Sequence, residues 1–357
     1  MTSPKFKFTW KTLLLPILGV IAFLVYIYLF NVDIPTIIGI IQQTDLYFYS
    51  WAIIFLFLHT FLFAFSWRFL VNFLSVKLSV LRAFLYVWYG IFIDIIIPAE
   101  SISGELSKVY LITREQNGTS GKVVASLATQ RFIGMAVNVI TLLVGISLLI
   151  AKGQLGGIIL TLAVFLAIVI TAFLLILLLL CVKESWTQKI VNAILRFVEW
   201  IGHGRLKLTK VKEEVAHALR MFHDSMKSFG HAYKTLFASS ISFVAAWILS
   251  LAMDFLIFCS IGYSVSWEVI IVSSSIFVAV KSIPIGVPFE IGLPEITMTT
   301  LYMVLGVDPK ISATVTILNR ILTLWLRFFV GFAVQEWLEI KAIRVFNQNA
   351  SEKFDKT

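Results

Sequence analysis

The sequence predicts an all-α polytopic integral membrane protein, with about eight transmembrane spans and two re-entrant broken-helix hairpins in an inverted repeat. Three observations predict it. First, 59% of the 357 residues are hydrophobic and only 14% are charged, against roughly 25% charged in soluble domains. Second, several runs are long enough to cross a bilayer core, which takes about 20 apolar residues as a helix. Leu13 to Phe30 carries no charge, and neither does Ile158 to Val182. Third, the basic residues cluster in alternate connections. That distribution accounts for the net charge of +9 without nucleic acid as a partner.

The spans are expected at about 12–30, 46–66, 82–97, 123–150, 157–182, 235–262, 267–282 and 310–337. The first is not a signal peptide, because Tyr26, Tyr28 and Phe30 stand where a small-residue cleavage site belongs. Lys5, Lys7 and Lys11 precede it. Lys77 and Arg82 lie between the second and third spans, and Lys108, Arg114 and Lys122 between the third and fourth. Ten more Lys and Arg run from Lys183 to Lys234, and Lys341, Arg344, Lys353 and Lys356 follow the last span. The opposite connections carry only Lys152 and Lys310. The positive-inside rule therefore puts both termini and 183–234 in the cytoplasm of a cell-membrane protein. The chain divides into an N-terminal helical half (12–182), a basic amphipathic segment (183–234), a C-terminal half (235–340) and a tail (341–357) expected to be disordered.

This topology lacks two crossings. The third and fourth spans must both start in the cytoplasm, so residues 98–117 must carry the chain back. The seventh and eighth must both start outside, so residues 284–305 must do the same. The two regions share an order of residues. One reads Pro98-Ala-Glu-Ser-Ile-Ser-Gly-Glu105, then Gly118, then a helix with Arg131. The other reads Pro284-Ile-Gly-Val-Pro-Phe-Glu-Ile-Gly-Leu-Pro-Glu295, then Gly306, then a helix with Arg320. Glu and Arg are 26 positions apart in the first and 25 in the second. Entry from opposite faces makes this an inverted repeat, a common transporter plan.

Charge at a helix centre in a bilayer costs about 2.5–3.5 kcal/mol on insertion scales. Irregular backbone survives there only inside protein or beside a water-filled cavity. Asp94, Glu100, Glu105 and Lys108 around Pro98, and Lys281, Glu290 and Glu295 around the later prolines, therefore point to a buried polar cavity. Half-helices should start near Ser103 or Gly104 and near Pro294, where proline suits the first turn. Their free N–H ends, with Lys or Arg beside them, would hold a phosphate. The candidate substrate-binding residues are Asp94, Glu105, Lys108, Arg131, Lys281, Glu290, Glu295 and Arg320. Glu105 and Glu295 fall in the first turns, where each either caps its half-helix or pairs with Arg131 or Arg320. Two roles stay open for the arginines. Each contacts substrate, or Arg131 pairs with Glu105 and Arg320 with Glu295 only to fix the hairpins. Asp254, in mid-span, is either a proton or cation relay or a partner for Lys281. Arg68 and Arg327 lie near span ends and snorkel.

In the 183–234 segment, Ile190, Ile194, Phe197 and Ile201 recur at helical spacing, as do Val211, Val215, Leu219 and Phe222. These are amphipathic helices for the membrane surface, or a plain connector between the halves. His203, His217, His223 and His231 have no metal-ligand spacing. Cys181 and Cys259 stand far apart in apolar runs. No cofactor motif, Walker sequence or hydrolase elbow is present.

At its two proline regions the chain resembles the transmembrane, flippase-like domain of lysylphosphatidylglycerol synthases. The residues carrying the resemblance run from Pro98 through Gly104-Glu105 to the Arg131 helix, and from Pro284 to Glu295, then Leu305-Gly306-Val307 and Asn319-Arg320. The family's second motif reads as a proline, a Gly-rich turn, a Glu and a helix ending in Arg. The likeness covers roughly 12–340. It implies a domain that flips an aminoacylated or other anion-derived lipid between leaflets. The full-length synthases continue into a soluble aminoacyl-transfer domain, and this chain stops at Thr357, so lipid synthesis is not expected. Ala99-Glu100-Ser101 stands where the family has a basic residue near the proline, which leaves the headgroup preference open.

The expectation is a non-enzymatic translocase for a membrane phospholipid or polyprenyl-phosphate lipid. A second copy of the chain, or a separate lipid-modifying enzyme, would be the protein partner. The alternatives are a polyprenyl-phosphate-dependent glycosyltransferase, disfavoured by the unpaired Asp33 and Asp45 in the first outer loop, and a non-transporting accessory subunit.

Overall fold

The computed structural model describes residues 34–97, 102–153, 158–201, 209–281 and 292–354. The expected first span at 12–30, and Pro98, Glu100, Pro284, Pro288 and Glu290, lie outside the described residues. Those described are helical, with no strand among them. The helices are α1 (Ile34–Gln42), α2 (Leu46–Phe73), α3 (Val80–Ile96), α4 (Ile102–Glu115), α5 (Ser120–Ala151), α6 (Ile158–Val182), α7 (Glu184–Ile201), α8 (Thr209–Phe229), α9 (Tyr233–Ser260), α10 (Trp267–Lys281), α11 (Leu293–Val304), α12 (Pro309–Arg320) and α13 (Arg327–Phe354). A π-helical turn, Ile321–Leu326, joins the last two.

Four stretches among the described residues are long and apolar enough to cross a membrane: α2, α5, α9 and Pro309–Ile340. A fifth follows if the bent pair of α6 and α7 counts as one span; the two meet at 94°. The third and seventh expected spans are shorter helices, α3 with 17 residues and α10 with 15. The tail expected to be disordered continues α13 as far as Phe354. No Gly or Pro follows Gly331 to break it, and Ala, Glu, Lys and Gln favour helix.

The backbone of the bundle is the antiparallel pair of α2 and α9, each 28 residues long. They lie side by side over their whole length. The Asp45 N–H donates to the Ser260 carbonyl at 2.6 Å. His59 Nδ1 is 2.8 Å from the Ala246 carbonyl, and the Ser66 and Ser239 hydroxyls are 2.9 Å apart. Small residues such as Ala52, Ala64 and Ser239 are buried along the seam and let the backbones approach, as membrane helix pairs require.

A helical hairpin follows each member of this pair. In the first, α3 and α4 run antiparallel. At one end Arg82 Nη1 and the Tyr86 hydroxyl donate to Glu115 at 2.8 and 2.7 Å. At the other, Asp94 meets the start of α4. Glycine is required in between: a Cβ on Gly104 would overlap the Asp94 carboxylate and the Gly90 carbonyl. Gly104→Ala should therefore separate the arms at a cost of about 1–3 kcal/mol, read as a lowered thermal midpoint of the purified protein. The second hairpin is α10 with α11, which pack through Val269, Ile270, Met298 and Tyr302.

The hairpins exchange contacts. The first arm of the first hairpin, α3, packs on α13, where Gly331 leaves room for Phe92. The first arm of the second, α10, packs on α5, where Gly145 leaves room for Ile271 and Val272. Lys152 at the end of α5 pairs with Glu268 at the start of α10. Of the amphipathic segment, α8 packs on α5, and Gly121 gives it close approach at Ala218 and Met221. α7 instead leaves Trp186, Ile190 and Ile194 about half exposed.

Candidate functional site

The first hairpin opens onto a cavity of about 530 Å³, within the roughly 300–1,000 Å³ typical of small-molecule sites. Four of the sequence-predicted residues line it together: Asp94 from α3, Glu105 and Lys108 from α4, and Arg131 from α5. Both halves of the chain supply the remaining wall. Phe63 comes from α2, Phe173 from α6, Phe243 and Trp247 from α9, and Val278 from α10. The lining thus combines charged side chains with aromatic and aliphatic ones. α6 packs chiefly on α5, and its cavity residues Val169 and Phe173 keep about half of their surface accessible.

Each charged group has a distinct setting. Asp94 caps α4, its Oδ1 accepting from the Ser103 hydroxyl and the Gly104 N–H, both at 2.6 Å. Glu105 sits in the first turn of α4 and faces Arg131 Nε at 3.5 Å, a loose and partly exposed pair. Lys108 is buried, with its ammonium 5.3 Å from the centroid of the Trp67 ring, a cation–π arrangement. Trp67 is itself fixed by donating to the Ser126 hydroxyl at 3.1 Å. Among the described residues no carboxylate lies within ion-pair distance of Lys108. Lys108 and Arg131 are therefore the cations this cavity can offer an anionic group.

The second predicted cluster is separate. Arg320 Nε donates to Glu295 Oε1 at 2.7 Å, and both side chains are almost fully buried. The other Glu295 oxygen accepts from the Gly292 N–H at 2.7 Å. Gly292 has φ 98°, the left-handed region in which glycine is favoured. Neither Glu295 nor Arg320 lines the cavity. Lys281 ends α10, three residues past Val278, and its charge acts on Asp94. It is not part of the cavity wall.

The half-helix starts were expected to present free N–H groups to a phosphate. At each start one N–H has a carboxylate of the protein as its acceptor: Asp94 takes the Gly104 N–H of α4, and Glu295 takes the Gly292 N–H just before α11. A buried helix end needs such partners. Asp254 is likewise not paired with Lys281; its partners are Ser274 and Asn319. Arg68 donates to the Leu78 carbonyl at 3.0 Å, a structural contact.

Sequence reasoning missed Gln130 and Asn138, which also line the cavity. Gln130 donates to the Phe63 carbonyl at 2.8 Å and Asn138 to the Ser275 carbonyl at 3.3 Å. Amides in the expected fourth span, one residue before and seven after Arg131, were the available signal. Facing the Arg131 side of α5, they extend the polar stripe along that helix.

No solved structure matches the chain. A UPF0104 membrane protein of Pyrococcus horikoshii is 23% identical over 324 residues, covering 90% of this chain and 95% of the relative. Another from Methanocaldococcus jannaschii is 24% identical over 333 residues, covering 92% and 95%. The family model described as the lysylphosphatidylglycerol synthase TM region matches residues 16–331. By that match, which covers most of its length, this chain belongs to the lysylphosphatidylglycerol synthase TM region family.

Proposed function

We propose that this chain moves a phosphate-bearing membrane lipid between the leaflets of the cell membrane, as a translocase and not an enzyme. The carrying observation is the mixed cavity, whose lining holds the cations Lys108 and Arg131 together with Phe63, Phe173, Phe243 and Trp247. A lipid has the same combination. Its phosphate would bind the two cations through charge-assisted hydrogen bonds, and its chains would lie along Phe173 and Phe243. Phospholipids and polyprenyl phosphates share this chemistry.

The hairpins support a re-entrant arrangement. Their arms have 17, 14, 15 and 12 residues. At about 1.5 Å per residue each falls short of a bilayer core about 30 Å thick. The antiparallel α2 and α9, and the exchange of α3 and α10 between the long helices, support an inverted repeat and alternating access around the cavity. In that frame both termini and the α7–α8 segment face the cytoplasm, where basic residues concentrate.

The test uses vesicles containing the purified protein and a tail-labelled phosphatidylglycerol. The native protein should speed the exchange of label between leaflets. Arg131→Ala, checked for an unchanged thermal transition, should lower that rate by about tenfold, the worth of one charged hydrogen bond. Exchange no faster than in protein-free vesicles would leave an accessory subunit as the better reading. A glycosylated product formed from a lipid-linked sugar would make the chain a transferase.

A further inference from the structure

Asp254 lies deep in α9 with 6% of its surface exposed. The other almost fully buried acids among the described residues, Glu268 and Glu295, have Lys152 and Arg320 as ion-pair partners. Asp254 has only neutral donors. The Ser274 hydroxyl donates to Oδ2 at 2.9 Å and the Asn319 amide to Oδ1 at 2.7 Å. Burying a carboxylate away from water on neutral donors is expensive, and the charge that faces Asp254 is that of Arg327. The donor set also disfavours a metal ion. The Asn319 amide oxygen accepts from Thr323 at 3.1 Å, whereas a hard cation needs a shell of oxygens turned toward it.

Two routes connect this acid with the cavity. Along α9, Trp247 lines the cavity and Asp254 follows it by seven positions. Two turns separate them, so they share a helix face. Across the interface, Ser274 is followed by Ser275, whose carbonyl accepts from the cavity residue Asn138 at 3.3 Å. The Ser275 hydroxyl is fully buried and has no partner. An unsatisfied buried hydroxyl of this kind marks a place where water is stabilised. The other charged or titratable groups facing Asp254 are Tyr302 from α11 and Arg327 from α13. His59 on α2 faces Arg327 in turn.

We propose that Asp254 is a proton-binding site linked to the cavity through Asn138, Ser275 and Ser274, so that lipid movement by this chain is coupled to proton movement. A proton from water bonds to Oδ2, the carboxylate becomes a neutral carboxyl, and Ser274 turns from donor to acceptor. Release reverses these steps. The coupling rests on the translocase reading; the proton site stands without it.

Infrared difference spectra of the purified protein, stepped from alkaline to mildly acidic pH, read the site directly. The native protein should gain a protonated-carboxyl band that Asp254→Asn lacks. Ser274→Ala keeps the acid and should shift the pH at which the band grows, a check that holds even if the Asn variant folds poorly. Absence of an Asp254-dependent band overturns the proton site. In vesicles with tail-labelled phosphatidylglycerol, an imposed pH gradient should change the native exchange rate severalfold and leave Asp254→Asn indifferent. A native rate blind to the gradient, with the band present, overturns the coupling. A band without any lipid exchange upholds the proton site and sinks the translocase reading.

Discussion

Arg320→Met should be among the most destabilising single substitutions in this chain. It leaves the Glu295 carboxylate, almost fully buried, without its cation. Breaking a buried pair from one side costs about 3–5 kcal/mol, a large part of the roughly 5–15 kcal/mol that holds a folded domain together. The expected result is a large drop in the thermal midpoint in detergent, with loss of folded yield. The double variant Glu295→Leu with Arg320→Met should recover most of that drop, because no unpaired charge remains. It would still lack the Glu295 cap on the Gly292 N–H, worth about 0.5–2 kcal/mol. Arg131→Ala provides the contrast. Its pair with Glu105 is 3.5 Å long and partly exposed, so its loss should move stability by about 1 kcal/mol or less. Equal losses at Arg131 and Arg320 would contradict this division.

Lys108→Gln should have the largest effect on lipid handling. The side chain is only 7% exposed, and its ammonium lies beside the cavity with no acid in pairing distance among the described residues. A hydrogen bond from such a charge to a phosphate is worth about 1.5–3 kcal/mol. Apparent affinity for labelled phosphatidylglycerol should therefore fall by about ten- to a hundredfold. The fold should persist, since glutamine keeps a polar side chain of similar length and leaves no buried charge unpaired. Unchanged lipid exchange by a folded Lys108→Gln protein would remove Lys108 from the binding surface.

The fold class was legible because long uncharged runs have no soluble explanation. The two Glu–Arg pairs were legible for a related reason. Charges in apolar runs need partners, and near-equal spacing pointed Glu105 to Arg131 and Glu295 to Arg320. The expected half-helix starts also agree, with α4 beginning at Ile102 and α11 at Leu293. The rest depended on contacts remote in sequence. Phe63, Phe243 and Trp247 join the cavity wall only because α2 and α9 lie side by side. Nothing local marks them among so many aromatics. The Asp94 cap arises from the close approach of Gly90 and Gly104, and spacing along the chain does not encode that approach. The single cavity expected between two like clusters became one open and one sealed cluster. The sealed one differs because Glu295 and Arg320 are both enclosed by α12 and its neighbours.

The π-helical turn at Ile321–Leu326 has a mechanical meaning. Upstream, Arg320 grips the second hairpin through Glu295. Downstream, Phe328 and Gly331 grip the first through Phe92. In a π turn hydrogen bonds reach one residue further than in an α turn, so the two parts of this long helix are out of step. Rewinding that one turn would rotate one grip against the other by about 100° per residue. The π turn therefore sets the phase between the face of this long helix that holds the second hairpin and the face that holds the first.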